Sequence, residues 1–361
     1  MIEEKKLSKT IIDQILNFGK KITTGLKKPQ KKFVLQMLFG ILAARDVKLS
    51  NIARSLQEKI PLIKTENRLS RQTKKSDLTQ HIISFLVTNS ANLIKDDTVL
   101  AIDISDITKE YTTKMEHLAL VRNGSKDEVK TGYWLIEILG ADVKGERLIP
   151  LLTELYSQKA RDFESENTQI LRAIDSVRQV TKDKGIWVID RGGDRKRLIG
   201  KLLRHSCRFV IRLRGDRNLI DRRGNKRNAL AIANSLKCQE PIEIMVTKPE
   251  GKEKHRVWLG LTEVKLPGQK EILDLVVVKG FGKKPMMLLT NVKDKVAEEI
   301  LEIYLTRWKC DESYRFLKTS YNLEDVRVRS YVGLRNIVAL LLAVFHFMAV
   351  VLDLLCQPSV I

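Results

Sequence analysis

Cysteine is scarce in this 361-residue sequence and nowhere grouped. Cys207, Cys238, Cys310 and Cys356 stand far apart with no CxxC or CxxH spacing, which excludes a disulfide framework and a cysteine zinc site. Histidine is as thin: His81, His117, His205, His255 and His346 share no motif, so histidine-based catalysis would need long-range convergence. There is no internal repeat and no low-complexity tract. The start, Met-Ile-Glu-Glu-Lys-Lys, lacks the basic-then-apolar layout of a secretory leader, and the expectation is therefore a cytoplasmic protein. One apolar run, Ile337 to Leu352, contains His346 and falls short of the ~20 residues that span a bilayer. It reads as a buried core helix, and no membrane partner is expected.

Acidic residues are in deficit: 44 Asp and Glu face 65 Lys and Arg, a net charge of +21 with a pI near 9.7. Solubility needs far less, so a polyanion is the expected partner, nucleic acid ahead of an anionic membrane. With 43% hydrophobic and 30% charged residues, the chain has the balance of a soluble globular protein of two or three domains.

The charge is uneven. Residues 1–95 hold 19 Lys and Arg against 7 Asp and Glu, a net of 19 − 7 = +12. Apolar residues recur there at helical spacing in Phe33–Ala44, Leu49–Leu56 and Leu78–Leu93, which suggests a separate basic helical module that binds DNA. Lys48–Leu56, followed after Pro61 by Lys64–Gln72, fits a helix-turn-helix with a basic second helix. It fits the solvated face of an ordinary helical bundle equally well.

From Thr98 the period shortens. Val99–Ile104, Gly132–Leu139 and Arg147–Tyr156 read as strands, the last two joined through Gly145; Ser165–Lys182 follows as an amphipathic helix, Gly185–Ile189 as a buried strand, Arg195–His205 as a helix and Arg208–Leu213 as a strand. The order is βββαβαβ. Pro241–Val246, His255–Leu261, Glu271–Val278 and Met286–Thr290 read as strands of an insertion, and helix returns from Val296 to Leu355. The expected organisation is 1–95 helical, 96–217 an α/β core, 218–292 a β-rich insertion domain, and 293–361 the helices that complete the core.

Asp103 lies inside the otherwise apolar strand Val99–Ile104. A buried lone carboxylate costs several kcal/mol, so such a residue needs a metal or a cationic partner. Asp190 repeats the pattern at the end of Ile186–Ile189, followed by Arg191-Gly-Gly-Asp194. Either aspartate alone fits a structural ion pair or cap. Two of them on strands of one βββαβαβ unit fit a site. On Glu298–Lys318, taken as one helix, Tyr304, Arg307, Asp311 and Lys318 share a stripe about 60° wide, and Glu312 falls about 80° from Tyr304. A salt-bridged helix face gives similar spacing.

Together these residues resemble the DDE transposases of bacterial insertion sequences: Asp103 in a strand, Asp190-Arg-Gly, and Tyr304-x2-Arg307-x3-Asp311-x6-Lys318. The nearest resemblance is to the insertion-sequence-four type with its Tyr-Arg-Glu-Lys signature. It covers Thr98 to Leu355 and implies an α/β fold: a ribonuclease-H-like core with a mixed five-stranded sheet and flanking helices, a β-rich insertion domain and an α-helical N-terminal domain. It implies that Asp103, Asp190 and Asp311 are catalytic and bind two Mg²⁺ ions, with Mn²⁺ as a substitute. Tyr304, Arg307 and Lys318 would hold phosphates, and Trp308 would stack on a displaced base. The partners implied are transposon-end and target DNA, gathered by a homodimer in the nucleoid.

Two residues depart from the family pattern. Asp311 stands where the family has Glu, which leaves Glu312 as the alternative third carboxylate, and Gly193 replaces the usual aromatic. Arg212, Arg214, Arg217, Arg222, Arg223, Lys226 and Arg227 crowd the exit from the last core strand and are expected to contact DNA phosphates; a solvated basic loop is the other reading. The chemistry fits the residue types, because phosphodiester cleavage followed by 3′-OH transfer is served by two divalent ions on carboxylates and needs no histidine base. A DNA-binding copy without cleavage activity and a ribonuclease-H-like structure-specific nuclease remain as alternatives.

Overall fold

The computed structural model describes residues 2–109, 112, 114–123, 128–239, 241–248 and 251–352. Cys356 and the expected continuation of the last helix to Leu355 lie outside these residues.

Five helices come first: α1 (Ile2–Ile22), α2 (Lys28–Ala44), α3 (Leu49–Ser55), α4 (Leu62–Thr73) and α5 (Thr79–Ser90). The α3–α4 pair falls on the expected helix-turn-helix segment. Thr65, Leu69 and Thr73 face inward on α4, while Lys64, Asn67, Arg71 and Lys74 are exposed and Ile63 is 60% exposed.

Strands β1 (Val99–Thr108), β2 (Ala119–Asn123), β3 (Glu128–Ala141) and β4 (Leu148–Tyr156) form an antiparallel set in which β3 lies between β1 and β4 and also pairs with β2. Helix α6 (Glu166–Thr181) starts where the Ser165 hydroxyl accepts from the Thr168 N–H, which satisfies a first-turn donor. It returns the chain to β5 (Ile186–Ile189) through Gly185, at φ +94°, where a Cβ would meet Leu100 and the Thr98 carbonyl. Glycine is required there. β5 runs parallel to β1; α7 (Lys196–Arg204) then leads to β6 (Arg208–Arg212), parallel to β5. The order β4-β3-β1-β5-β6, with the first three strands antiparallel and the last two parallel to β1, is the expected ribonuclease-H-like sheet.

The region expected to be a separate insertion domain joins that sheet. It begins with the hairpin β7 (Asn218–Ile220) and β8 (Lys226–Asn228) and helix α8 (Ala229–Ser235), and continues as β9 (Ile242–Lys248), β10 (Gly251–Val264), β11 (Leu273–Lys279) and β12 (Met286–Thr290). β12 pairs with β6 and the other three follow outward, giving one ten-stranded sheet, with the hairpin apart as a two-stranded sheet. The β6 edge is thereby covered, which removes a row of unpaired backbone groups.

The last helices are α9 (Ala297–Leu305), α10 (Trp308–Ser320) and α11 (Tyr331–His346), the last continued by a π turn over Phe347–Val351. Tyr331–Val351 is long and apolar enough to cross a bilayer, so length does not settle its place; 83% of its most apolar window is buried inside the protein. It packs on β4, α2 and α5. The fully buried Asn336 on α11 donates to the Thr73 and Ser76 carbonyls, both at 2.7 Å, and accepts from Leu78 N–H, also at 2.7 Å. The N-terminal helices therefore share one hydrophobic core with the α/β part of the chain rather than forming a freestanding module.

Candidate active site

Strand register assembles the site. Val99 to Ile102 pair with Ile186 to Ile189, and Ile186 to Ile189 pair with Arg208 to Ile211. One step further, Asp103, Asp190 and Arg212 follow one another across three adjacent strands. On the other side Asp103 pairs with Glu137, and Glu137 with Thr153. Residues in one such row point to one face of the sheet. Helix α10 covers that face: Tyr314 OH donates to the Asp103 carbonyl at 3.0 Å and the Ser313 hydroxyl to Glu137 Oε1 at 2.7 Å.

Asp311 reaches the row from α10, and Arg307 links it to the sheet. Arg307 Nη1 donates to Asp103 Oδ2 at 2.8 Å and Nη2 to Asp311 Oδ2 at 3.0 Å. Asp103 Oδ1 accepts its neighbour's N–H, from Ile104, at 2.9 Å. Asp190 Oδ1 accepts from Gly192 N at 2.7 Å and caps the tight turn Arg191–Gly193. A side chain at Gly193 would strike Ile189, its Cβ lying 2.2 Å from Ile189 Cγ2. The residue that departs from the family pattern is thus the one this turn requires.

Burial pushes the Asp103 carboxyl up to about 7; Arg307 pulls against that shift, while Asp311 and Asp190 add to it. Asp311 is raised by burial first and by Asp190, against the pull of Arg307. Glu137, 1% exposed, is pushed up to about 8 by burial, with Asp103 and Asp311 adding to it, and its Oε2 has no partner. Asp103 and Asp311 share a single guanidinium, with Asp190 and Glu137 close enough to add to the repulsion. Glu137 went unread in the sequence although its signal, a lone charge in an apolar strand, is that of Asp103.

The expected phosphate-binding stripe is divided. α9 ends at Leu305 and α10 begins at Trp308, so Tyr304 and Arg307 do not lie on one continuous helix. Thr306 lies at the join: its hydroxyl donates to the Val143 carbonyl at 2.7 Å and to the Glu302 carbonyl at 3.1 Å, a side-chain competition that interrupts helices. Tyr304, Arg307, Trp308 and Arg212 line a cavity of about 1050 Å³ together with Lys283 and Lys284. Lys318, two turns beyond Asp311, is paired with Glu324 at 3.2 Å. Glu312 points elsewhere and binds Lys309 at 2.7 Å.

The basic exit from β6 also divides. Arg212 lines the cavity beside the site, whereas Arg217 turns inward to the fully buried Asp194. Arg214 is exposed, 3.9 Å from Asp194 and 3.7 Å from Asp216. Arg222 and Arg223 are carried on the β7–β8 turn with Lys226 and Arg227 nearby, and Arg222 lies 3.8 Å from Glu263.

Residues 161–346, just over half of the chain, match the family model described as the transposase DDE domain. The chain belongs to this family. The matched stretch contains Asp190, Arg307 and Asp311, and Asp103 lies ahead of it. No curated protein matches the sequence. Among solved structures the chain is similar to the piggyBac transposase synaptic complex with hairpin DNA, at TM-score 0.42 and 10% identity over 95% of this chain and 73% of that one. That likeness is too distant to bear on the site. What family membership supplies is transposition at the general level; what the geometry supplies is the clustering of Asp103 in the middle of β1, Asp190 just past the end of β5 and Asp311 in the first turn of α10.

The donor chemistry of this cluster suits a hard divalent cation, since each ligand offers carboxylate oxygen and the negative charges lack compensation. As the side chains stand, with Arg307 bonded between Asp103 and Asp311, no three acidic, histidine or cysteine residues among those described are grouped closely enough to hold an ion.

Proposed function

We propose that the protein cleaves DNA at the ends of a transposable element and joins the freed 3′-OH to target DNA, as a transposase of the insertion-sequence-four type. The observation that carries this reading is the placement of Asp103 and Asp190 one residue beyond the paired Ile102 and Ile189 of adjacent parallel strands, with Asp311 tied to Asp103 through Arg307 from α10. Asp103, Asp190 and Asp311 would hold two divalent ions, Mg²⁺ or Mn²⁺, which when bound activate the attacking oxygen and stabilise the leaving one.

The chain's own residues do the positioning. Tyr314 and Ser313 fasten α10 to β1 and β3, and so fix Asp311 against the sheet. Arg212, Lys283 and Lys284 offer cations around the cavity where a phosphate backbone would lie, and Trp308 offers an aromatic face to an unstacked base. The exposed α4 stripe of Lys64, Asn67, Arg71 and Lys74 would contact the end sequence in duplex DNA. The protein would act as a homodimer on cytoplasmic, nucleoid DNA, since two ends must be gathered.

The test is cleavage of end-containing DNA with Mg²⁺ by Asp103→Asn and Asp190→Asn. Both should lose cleavage while keeping end binding. Undiminished cleavage in both would reject the reading, and binding without cleavage by the unmodified protein would favour a copy that only binds DNA.

A further inference from the structure

We propose that Arg307 is the counter-cation of the carboxylate site in the DNA-free protein, and that a DNA phosphate must draw it off before a divalent ion can enter between Asp103 and Asp311. The proposal rests on the metal-dependent reading above and adds to it an order of binding.

The two arms of one guanidinium bind different carboxylates, Nη1 to Asp103 and Nη2 to Asp311. Asp103 has two oxygens: Oδ1 is engaged by the backbone N–H of Ile104, and Oδ2 is the one that Arg307 holds. An ion approaching Asp103 through the oxygen not tied to its own backbone must displace Arg307. The guanidinium, 17% exposed, cannot be discarded into the protein without a new partner, because an unpaired buried charge costs several kcal/mol.

The alternative partner would lie in the cavity that Arg307 also lines. Arg307 borders the large cavity, where Arg212, Lys144, Lys283, Lys284 and Lys309 outnumber Glu146 and Glu302. A phosphate seated there would offer Arg307 the planar two-oxygen acceptor that its fork fits. Moving towards the phosphate releases Asp103 and Asp311 together, because both are held by the same group. DNA and metal would therefore each raise the other's affinity, as linkage requires. In the absence of DNA Asp103 and Asp311 stay engaged by Arg307 and take up ions poorly.

The experiment is a Mn²⁺ titration of the full chain, reading free Mn²⁺ by electron paramagnetic resonance, with and without a short duplex whose own Mn²⁺ uptake is subtracted. Wild-type protein should bind about 10-fold more tightly when the duplex is present, within the usual range of coupling between sites. Arg307→Gln should bind Mn²⁺ tightly without DNA and gain little from the duplex. Equal affinity of wild type and Arg307→Gln without DNA would overturn the proposal. If Arg307→Gln does not fold, Arg307→Lys keeps the charge but loses the fork; it should still bind more tightly than wild type without DNA, and a wild-type affinity would overturn the proposal. Asp103→Asn is titrated alongside. Loss of Mn²⁺ binding in that variant supports the metal reading, so equal wild-type and Arg307→Gln affinities would then reject only the counter-cation role. Unchanged Mn²⁺ binding in Asp103→Asn would reject the metal reading and, with it, this proposal.

Discussion

Two aspartates, the partly buried Asp103 and the fully buried Asp194, are each held by an arginine, and they are held differently. Asp194 has donors of its own: Arg217 Nε at 2.5 Å and the Arg214 N–H at 2.9 Å, while Arg217 Nη2 also binds the Asp194 carbonyl at 2.7 Å. Asp103 must share one guanidinium with Asp311 and sits beside Asp190 and Glu137. The first arrangement closes a loop onto the end of β6. The second leaves negative charge in excess, which is what a cation site needs before its ion arrives. Burial of a carboxylate therefore says little about its purpose; the ratio of donors to acids around it says more.

The largest expected effect breaks the pair by function. Asp103→Asn should abolish Mg²⁺-dependent DNA cleavage with little loss of stability, since it removes one negative charge from a crowded set. Asp194→Ala should do the reverse. It strands Arg217 without a partner, which costs about 3–5 kcal/mol, so urea unfolding should shift markedly while the folded fraction still cleaves. A variant at position 194 that keeps its stability and loses cleavage would make Asp194 part of the chemistry and dissolve the distinction.

A smaller effect concerns Glu137. Folded, its carboxyl titrates at about 8, raised from an ordinary value near 4.5. The unfolded chain thus releases this proton at lower pH than the folded protein does. The stability it contributes is full below about pH 4.5 and is lost as the pH rises to about 8, at about 1.4 kcal/mol per pH unit in between. Glu137→Gln keeps an acceptor for Ser313 and should flatten stability over that window, as urea melts at pH 5, 6.5 and 8 would read. An unchanged slope would remove Glu137 from the crowded set.

The smallest effect is expected at Glu312. Because Lys309 already engages it, Glu312→Gln should retain most cleavage, whereas Asp311→Asn should lose it. The opposite pattern would transfer the third-carboxylate role to Glu312.

How much of this was readable in advance depends on how local each signal is. Asp103 and Asp190 stand out because a charge interrupts a short apolar strand, and that is visible in five residues. Their pairing is not visible, since it depends on which strands neighbour each other and in what register. Glu137 carries the same local mark but lies in the 14-residue strand β3, where a single charge interrupts the apolar pattern less. Arg217 looked like its basic neighbours because its partner, Asp194, is distant in sequence. The division of the Tyr304–Lys318 stripe was hidden in Thr306, whose hydroxyl finds the Val143 carbonyl only once the sheet has formed. The strands of the insertion were legible from composition, but nothing local shows that β12 would seal the β6 edge.

Asn336 has a consequence for the order in which the molecule can mature. Its bond to Leu78 spans 258 residues, so α1 to α5 are completed by an element synthesised much later. Until α11 arrives, the surface that α2 and α5 turn towards it stays uncovered, and the carbonyls at the end of α4 lack their amide partner. β6 likewise waits for β12 across the whole insertion. Such distant closures slow folding and leave apolar surface exposed during synthesis. A chain interrupted before residue 331 would therefore leave its N-terminal helices unfinished as well as the carboxylate site, so premature termination would not release a stably folded helical fragment.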